Sequence, residues 1–365
     1  MGDDGEWKPM VYLLDPGSWG GIGGSFAGTV LDSAIIREDG QFAFATMPDA
    51  SEPMLLELAV QRKGGAFFAN RLDNESPTTA NYFPIVWKNG EAISISAAAA
   101  HFQKTFSIKN PSQENTAMMQ LRDIRQAAFD QFLAGKAAGA HDESALLDEE
   151  KAFQSFQKPM MQFAEETTYL LPALTAIRWV SIEQDYERVP EFMVSQAEKW
   201  KAAAPGHPWV AQLAVVGDRK SLPVLVGDEI PDYPMPMLSG DTIPLRQLLG
   251  KRLTVLDLWA SWCAPCRKQN RNHLVPLWDK YHAAGFQVVG YALDADRGTW
   301  ASAIEKDGAD RWPHASDLRG DDAPLFKELR LTTIPANFVL DAAGKVVAKN
   351  LHGEELAAFV EHYFQ

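Results

Sequence analysis

The first 110 residues contain short runs in which apolar and polar positions alternate, which predicts a β-rich domain over residues 1–110. The runs 29–36 and 41–45 flank Asp39-Gly40, a dipeptide that suits the tight turn of a hairpin. A second hairpin is predicted over 83–96, because Asn89-Gly90 separates two further apolar runs.

The pattern changes to a helical period near residue 111. Residues 111–222 form the predicted helical region, which is rich in Ala, Gln, Glu, Leu and Met. Apolar side chains recur at helical spacing in this region, as in Met118, Leu121, Ile124 and Ala128. Prolines at positions 159, 172 and 190 are expected to separate successive helices, because proline interrupts the helical hydrogen-bond pattern.

From residue 223 to the C-terminus, apolar strand-like runs alternate with helical stretches. The predicted strands are 252–259, 286–293, 336–340 and 345–348, and the predicted helices are 264–283, 298–306, 323–329 and 354–363. This alternation is typical of an α/β sheet that is covered by helices on both faces. We therefore predict an α/β domain over residues 223–365.

Charge and composition narrow the function classes. The 365 residues carry 34 Lys and Arg against 48 Asp and Glu, a net charge of −14. A nucleic-acid-binding protein would show a basic footprint, so no nucleic-acid partner is expected. No apolar run is long enough to span a bilayer, and residues 1–7 lack the basic and apolar parts of a signal peptide. We expect either a cytoplasmic chain or one whose export signal has been removed.

Candidate chemistry is concentrated in Cys263-Ala264-Pro265-Cys266, which contains both cysteines of the chain. The motif follows a predicted strand and opens the predicted helix 264–283. Unpaired N–H groups and the helix dipole favour a thiolate at a helix N-terminus, and proline suits the first helical turn. We predict that Cys263 is the attacking thiolate and that Cys266, one turn later, is the resolving thiol.

Two other interpretations of this cysteine pair are open. A structural disulfide is possible, although closing so small a loop stabilises a fold very little. A zinc site would need two more ligands, and neither His273 nor His282 has ligand-like spacing to the cysteines. We expect neither a metal nor an organic cofactor.

The segment 257–267, Asp-Leu-Trp-Ala-Ser-Trp-Cys-Ala-Pro-Cys-Arg, resembles the active-site segment of TlpA/ResA-type thioredoxin-fold proteins. Segments 226–233 and 245–251 resemble the opening hairpin of that family and the run before its first core strand, and 333–341 resembles its cis-proline segment. This resemblance implies a thioredoxin-like, AhpC/TSA-related fold for the C-terminal domain. More weakly, residues 10–110 resemble a β-rich domain of unknown function that is often fused ahead of such folds.

The resemblance also implies a substrate-binding face around the cysteines. Pro335 would be a cis-proline packed against the disulfide, and Ile334 would offer backbone groups to an extended substrate chain. Trp262 would form an apolar rim together with Ala264 and Pro265. Pro335 could instead begin a strand, and Trp262 could instead belong to the core.

Asp257 lies six residues before Cys263, at the position of the buried acid of thioredoxin. An aspartate on an apolar strand is costly without a task or a partner, so we predict a proton carrier for Cys266. A strand-edge residue or a salt bridge is the alternative. The chain departs from the family at Gln269, where a glutamate is common, so no proton role is expected there. Pro276 is expected to kink the long helix.

These residues together predict a thiol-disulfide oxidoreductase that acts on protein disulfides. The resemblance implies a reductase in the periplasm or cell envelope, recharged by a membrane-linked electron donor. A disulfide isomerase is one alternative, and a protein- or glycan-binding protein with a redox-sensitive scaffold is another. A peroxiredoxin-type peroxidase is not expected, because Leu256 and Ala260 occupy the positions of its required Pro and Thr or Ser. The sequence gives no indication of the oligomeric state.

Overall fold

The computed structural model describes residues 6–23, 28–64, 76–135, 143–181 and 185–365, without the side chains of 143–147. Two compact units make up the chain. The first comprises Met1–Ala138, Glu150–Arg188 and Phe192–Gly217, and the second comprises Gly139–Glu149, Val189–Glu191 and Asp218–Gln365.

A four-stranded antiparallel sheet is the centre of the first unit. Its strands are β1 (Trp7–Asp15), β2 (Thr29–Ile35), β3 (Met54–Arg62) and β4 (Tyr82–Trp87), in the order β2-β1-β3-β4. All six residues of β4 are buried, so both faces of this strand are covered. A separate two-stranded ribbon pairs β5 (Ser94–Ser96) with β6 (Ser107–Lys109). The β-rich character predicted for this region is confirmed.

Both predicted hairpins are wrong in their pairing. After β2, residues 41–45 form no strand, because the Asp32 carboxylate accepts the N–H groups of Ala45 and Thr46 at 2.8 and 2.9 Å. These N–H groups are therefore satisfied by a side chain instead of a neighbouring strand. In the second case β4 pairs with β3 and β5 pairs with β6, so both partners come from elsewhere in the chain.

Six helices are described between residues 102 and 216. They are α1 (Phe102–Thr105), α2 (Gln113–Phe132), α3 (Glu143–Glu166), α4 (Leu170–Val180), α5 (Pro190–Ala203) and α6 (Pro208–Val216). Pro172 and Pro190 lie in the first turns of α4 and α5, as expected for residues that separate helices. No helix among the described residues is both long enough and apolar enough to cross a membrane.

Pro159 lies inside α3, so the prediction that it separates two helices is wrong. Phe156, Met160 and Ala164 on either side of it are fully buried. Packing of these side chains offsets the hydrogen bond that the proline removes. Apart from the first residues of α3 and α5, these helices share one unit with the N-terminal sheet. The division of the chain at residues 110 and 222 stays a prediction.

A five-stranded mixed sheet is the centre of the second unit. An antiparallel ribbon of β7 (Pro234–Pro236) and β8 (Thr242–Pro244) and the short helix α7 (Leu245–Leu248) precede it. Its strands are β9 (Leu253–Trp259), β10 (Phe286–Ala292), β11 (His314–Ala315), β12 (Ala336–Asp341) and β13 (Val346–Lys349), in the order β11-β10-β9-β12-β13. The helices are α8 (Ala264–Gln269), α9 (Val275–Tyr281), α10 (Arg297–Asp307), α11 (Pro324–Glu328) and α12 (Glu354–Phe364).

Strand β9 is the central strand of this sheet. It pairs in parallel with β10 and antiparallel with β12, and all seven of its residues are buried. A strand that is buried on both faces needs helices on both sides of the sheet. The predicted thioredoxin-like α/β fold of the C-terminal domain is therefore confirmed.

The predicted long helix after the cysteines is interrupted by one wide turn. Residues Asn270–Leu274 form a π-helical segment between α8 and α9, in which the Val275 N–H bonds the Asn270 carbonyl. Pro276 follows directly in the first turn of α9 and has no N–H to donate to the preceding turn. The predicted kink thus takes the form of a π turn.

Candidate active site

The two cysteines are at the point where β9 leads into α8. Cys263 is the N-cap residue of α8, and its sulfur accepts the Cys266 N–H at 3.3 Å. A disulfide joins Cys263 and Cys266, whose Cα atoms are 5.3 Å apart. The Arg267 N–H bonds the Cys263 carbonyl at 3.0 Å, which closes the first helical turn. The helix therefore presents its unpaired N–H groups to the sulfur of Cys263.

The two cysteine residues differ in how far they are exposed to solvent. Cys263 is 6% exposed and Cys266 is 1% exposed, so an incoming chain reaches Cys263 first. Trp262, directly before the motif, is 63% exposed and is not part of the core. An exposed aromatic side chain next to the accessible sulfur gives this face an apolar contact surface.

Two buried aspartates fix the loop that carries the motif. Asp294, just after β10, accepts the Ser261 N–H at 2.9 Å and also the Ser261 hydroxyl. Arg267 donates to the Ser261 carbonyl at 3.1 Å and forms an ion pair with the buried Asp307 of α10. Ser261 is thus held on both sides, two residues before Cys263. Sequence reasoning missed the contacts of the two aspartates, because their partners are more than thirty residues away in the chain.

The predicted cis-proline lies at the same edge of the sheet as the cysteines. The Ile334–Pro335 peptide bond is cis, as the resemblance implied. Because β12 runs antiparallel to β9, Ala336 pairs with Leu258, so the start of β12 lies beside the end of β9. The loop to Cys263 leaves from that end of β9, which brings both predicted segments to one edge.

Asp257 is buried in the middle of the central strand, not at a strand edge. Burial raises the pKa of this carboxyl to about 7, and a hydrogen bond from Gln269 acts in the opposite direction. Its neighbours across the two strand pairs are Gly290 on β10 and Asn337 on β12. A carboxyl group with a pKa near 7 can both take up and release a proton at neutral pH.

Gln269 links Asp257 to His352, and all three side chains are buried. The Gln269 amide nitrogen donates to Asp257 Oδ1 at 3.4 Å. The other end of the same amide, Oε1, is 3.0 Å from Nδ1 of His352. Sequence reasoning missed His352, which lies in the loop between β13 and α12, because no spacing along the chain relates it to the motif.

Comparison with known proteins finds similarity in the region of the chain that contains the two cysteines. The model of the AhpC/TSA family matches residues 226–349. Thiol:disulfide interchange protein DsbE of Pseudomonas fluorescens biotype C is 28% identical over 123 residues, 33% of this chain and 64% of the relative. Thiol-disulfide oxidoreductase ResA of Oceanobacillus iheyensis is 26% identical over 125 residues, 33% of this chain and 62% of the relative. The chain therefore spans less than two thirds of either relative.

A solved structure of a thiol-disulfide oxidoreductase from Bacteroides fragilis is also similar to this region. Its sequence is 29% identical, and the similarity covers 37% of this chain and 98% of that chain with a TM-score of 0.35. The family match covers the whole segment from the opening ribbon to β13, including both cysteines. The C-terminal part of the chain, over residues 226–349, is therefore similar to the AhpC/TSA family.

Proposed function

We propose that this chain is a thiol-disulfide oxidoreductase that exchanges disulfides with protein substrates through Cys263 and Cys266. The observation that carries the proposal is the disulfide at the N-terminus of α8, with Cys263 the more exposed of its two cysteines. Relatives of the C-terminal domain that are named for thiol-disulfide exchange support it.

The reaction starts from the reduced protein. The Cys263 thiolate attacks one sulfur of a substrate disulfide, which breaks that S–S bond and releases the other substrate sulfur as a thiolate. Cys266 then loses its proton and attacks the Cys263 sulfur, which releases the substrate as a dithiol. The protein is left with the Cys263–Cys266 disulfide, and the substrate has gained two electrons. Its two sulfurs leave as thiolates and take up two protons, one equivalent to that lost by Cys266 and one from solvent.

Asp257 is the proposed acceptor of the Cys266 proton. It lies on the strand that leads to the motif, and burial raises its pKa to about 7. A base whose pKa is near the working pH combines a useful deprotonated fraction with useful basicity. The carboxylate therefore takes the proton of Cys266 as that sulfur attacks the mixed disulfide.

The proposed substrate-binding face comprises Trp262, Ala264, Pro265, Ile334 and Pro335. Its support is the exposure of Trp262 and the position of the cis peptide bond at the edge of the sheet that carries the motif. An extended substrate segment would lie along Ile334 and make backbone hydrogen bonds, while Trp262 packs against its apolar side chains. Because this mode of binding depends mainly on the substrate backbone, it tolerates many substrate sequences.

We further propose that the chain acts as a reductase in the periplasm or cell envelope, with a membrane-linked electron donor that restores the dithiol. The resemblance to TlpA/ResA-type proteins supports this direction. Direction follows from the reduction potential, which depends on how strongly the reduced thiolate is stabilised. Equilibration of the protein with glutathione measures this reduction potential. A couple more reducing than glutathione fits a reductase, and a more oxidising couple fits an oxidase or an isomerase.

A trapping experiment on the full chain tests the exchange reaction. We expect Cys266→Ser to accumulate a covalent complex with a disulfide-containing peptide, because the mixed disulfide cannot be resolved. Cys263→Ser should form no such complex, and the exposed Ser239→Ala should behave as the parent. Mass spectrometry detects the complex. Undiminished exchange by Cys263→Ser would contradict the proposal, and no exchange by the parent would favour a binding scaffold.

A further inference from the structure

We infer that His352 and Gln269 are positioning residues, which together fix the end of the Gln269 amide that faces Asp257 and so tune the proton transfer. The inference deepens the proposed function and rests on it, since the tuned proton is the one that Cys266 releases. It assigns a task to a glutamine and a histidine that lie 83 positions apart and meet only in the fold.

The chemistry of the amide makes its orientation matter. Its oxygen only accepts hydrogen bonds, and its nitrogen only donates them. With Oε1 facing His352 at 3.0 Å, Nδ1 of the imidazole has to carry the proton. The amide nitrogen then faces Asp257 at 3.4 Å, where it stabilises the carboxylate more than the neutral acid.

The reversed orientation would favour the opposite protonation state. With Oε1 facing Asp257, the amide would accept a hydrogen bond from the protonated carboxyl group and stabilise the neutral acid. The amide nitrogen would then donate to a bare Nδ1 of His352. A donating Nδ1–H on His352 therefore selects the orientation in which Asp257 is a better proton donor and a weaker base.

The backbone around His352 is itself held in place from the central sheet. Asn337, which pairs with Asp257 across β9 and β12, donates to the Leu351 carbonyl at 2.7 Å. The Asn337 side-chain oxygen also accepts the Leu351 N–H at 3.1 Å. A buried amide on the strand next to Asp257 thus fixes the backbone of the residue before His352.

The elements around Asp257 place few ionisable groups near it. On β10 the residue opposite is Gly290, and on β12 it is Asn337. The ionisable groups at the start of α8 are the two cysteines, followed by Arg267 and Lys268, and the loop after β13 contributes His352. Arg267 is engaged by Asp307, and Lys268 is exposed. The Gln269 amide is therefore the polar group of α8 that acts on Asp257 directly.

The pH dependence of the resolving step tests the inference in the full chain. The reduced protein is mixed with the aromatic disulfide of thionitrobenzoate. Release of the first thionitrobenzoate thiolate reports attack by Cys263 on the reagent. Release of the second thiolate reports attack by Cys266 on the mixed disulfide. We expect His352→Leu to raise the pH midpoint of the second phase by about 0.5 to 1 unit, as loss of one hydrogen bond allows. His352→Asn keeps a donor near the position of Nδ1, so its midpoint should stay that of the parent.

The outcomes separate this inference from the proposed function. Absence of the first phase in the parent would contradict the proposed function itself. A normal first phase with one midpoint for all three proteins, or an equal shift in His352→Asn, would overturn the inference alone. An independent measurement needs no variant: the ¹⁵N resonances of His352 should show a proton on Nδ1, and a bare Nδ1 would overturn the inference.

Discussion

At the scale of single residues, burial of Asp257 suits its carboxyl to proton transfer but makes its ionised form destabilise the fold. Burial raises the pKa of its carboxyl from 3.8 to about 7 in the folded state. The protein therefore binds this proton more tightly when folded, and ionisation of Asp257 destabilises the fold. The penalty is absent below pH 3.8, grows as the pH rises towards 7, and is constant above it.

Replacing Asp257 with asparagine should remove this penalty. We expect Asp257→Asn to raise the free energy of unfolding by up to about 4 kcal/mol at pH 8 and to change it little at pH 4. Denaturant titrations at both pH values, with hydrogen exchange of the β9 amides as the local probe, measure the effect. The exposed Asp321→Asn is the control. An equal effect at both pH values would contradict the account of the carboxyl.

Residues differ in how far sequence alone could indicate their place in the site. Cys263 and Cys266 were predictable because their spacing and their position at a helix start can both be identified from neighbouring residues. Asp257 was predictable because a charge on an apolar strand needs a reason. His352 and Asp294 were not, because each reaches the site through the fold: His352 through Gln269, and Asp294 through a loop 33 positions before it.

At the scale of secondary-structure elements, an ion-pair cluster holds α8 against α10. Asp307 at the end of α10 is buried and accepts hydrogen bonds from Arg267 and Arg271, in the latter case at 2.7 Å. Arg267 also donates to the loop before Cys263. The cluster therefore connects the helix that starts at the cysteines to the neighbouring helix and to the active-site loop.

Removing the buried aspartate should destabilise this arrangement. We expect Asp307→Ala to lower the free energy of unfolding of the C-terminal unit by about 3 kcal/mol, because it leaves Arg267 partly buried without its counter-charge. The matched control is Asp322→Ala, whose ion pair with Lys327 is exposed to solvent and should contribute little to stability. Denaturant titration compares the two, and equal losses would contradict the role of the cluster.

Elements were predictable where the pattern that forms them is local. The strands β9, β10 and β12 are mostly apolar runs, and α8 follows a motif that signals a helix start. The N-terminal hairpins failed because β4 pairs with β3, which is more than twenty residues earlier in the chain. Local turn signals cannot show that a carboxylate such as Asp32 will occupy the N–H groups of the next run.

At the scale of the whole molecule, composition and family similarity inform different parts of the chain. The net charge of −14 argued against a nucleic-acid partner, whereas the match to the AhpC/TSA family covers residues 226–349. That segment includes the whole proposed exchange site except for the loop with His352. The proposed reaction is therefore assigned to residues of the C-terminal unit.

The most direct test of the exchange site is alkylation of the reduced full chain with iodoacetamide over a range of pH, followed by peptide mapping. We expect Cys263 to react faster than Cys266 at pH 7, with a midpoint below the ordinary thiol value of about 8.5, because the start of α8 stabilises its thiolate. Equal rates at the two cysteines with an ordinary midpoint, or faster modification of Cys266, would contradict the assignment of Cys263 as the attacking sulfur.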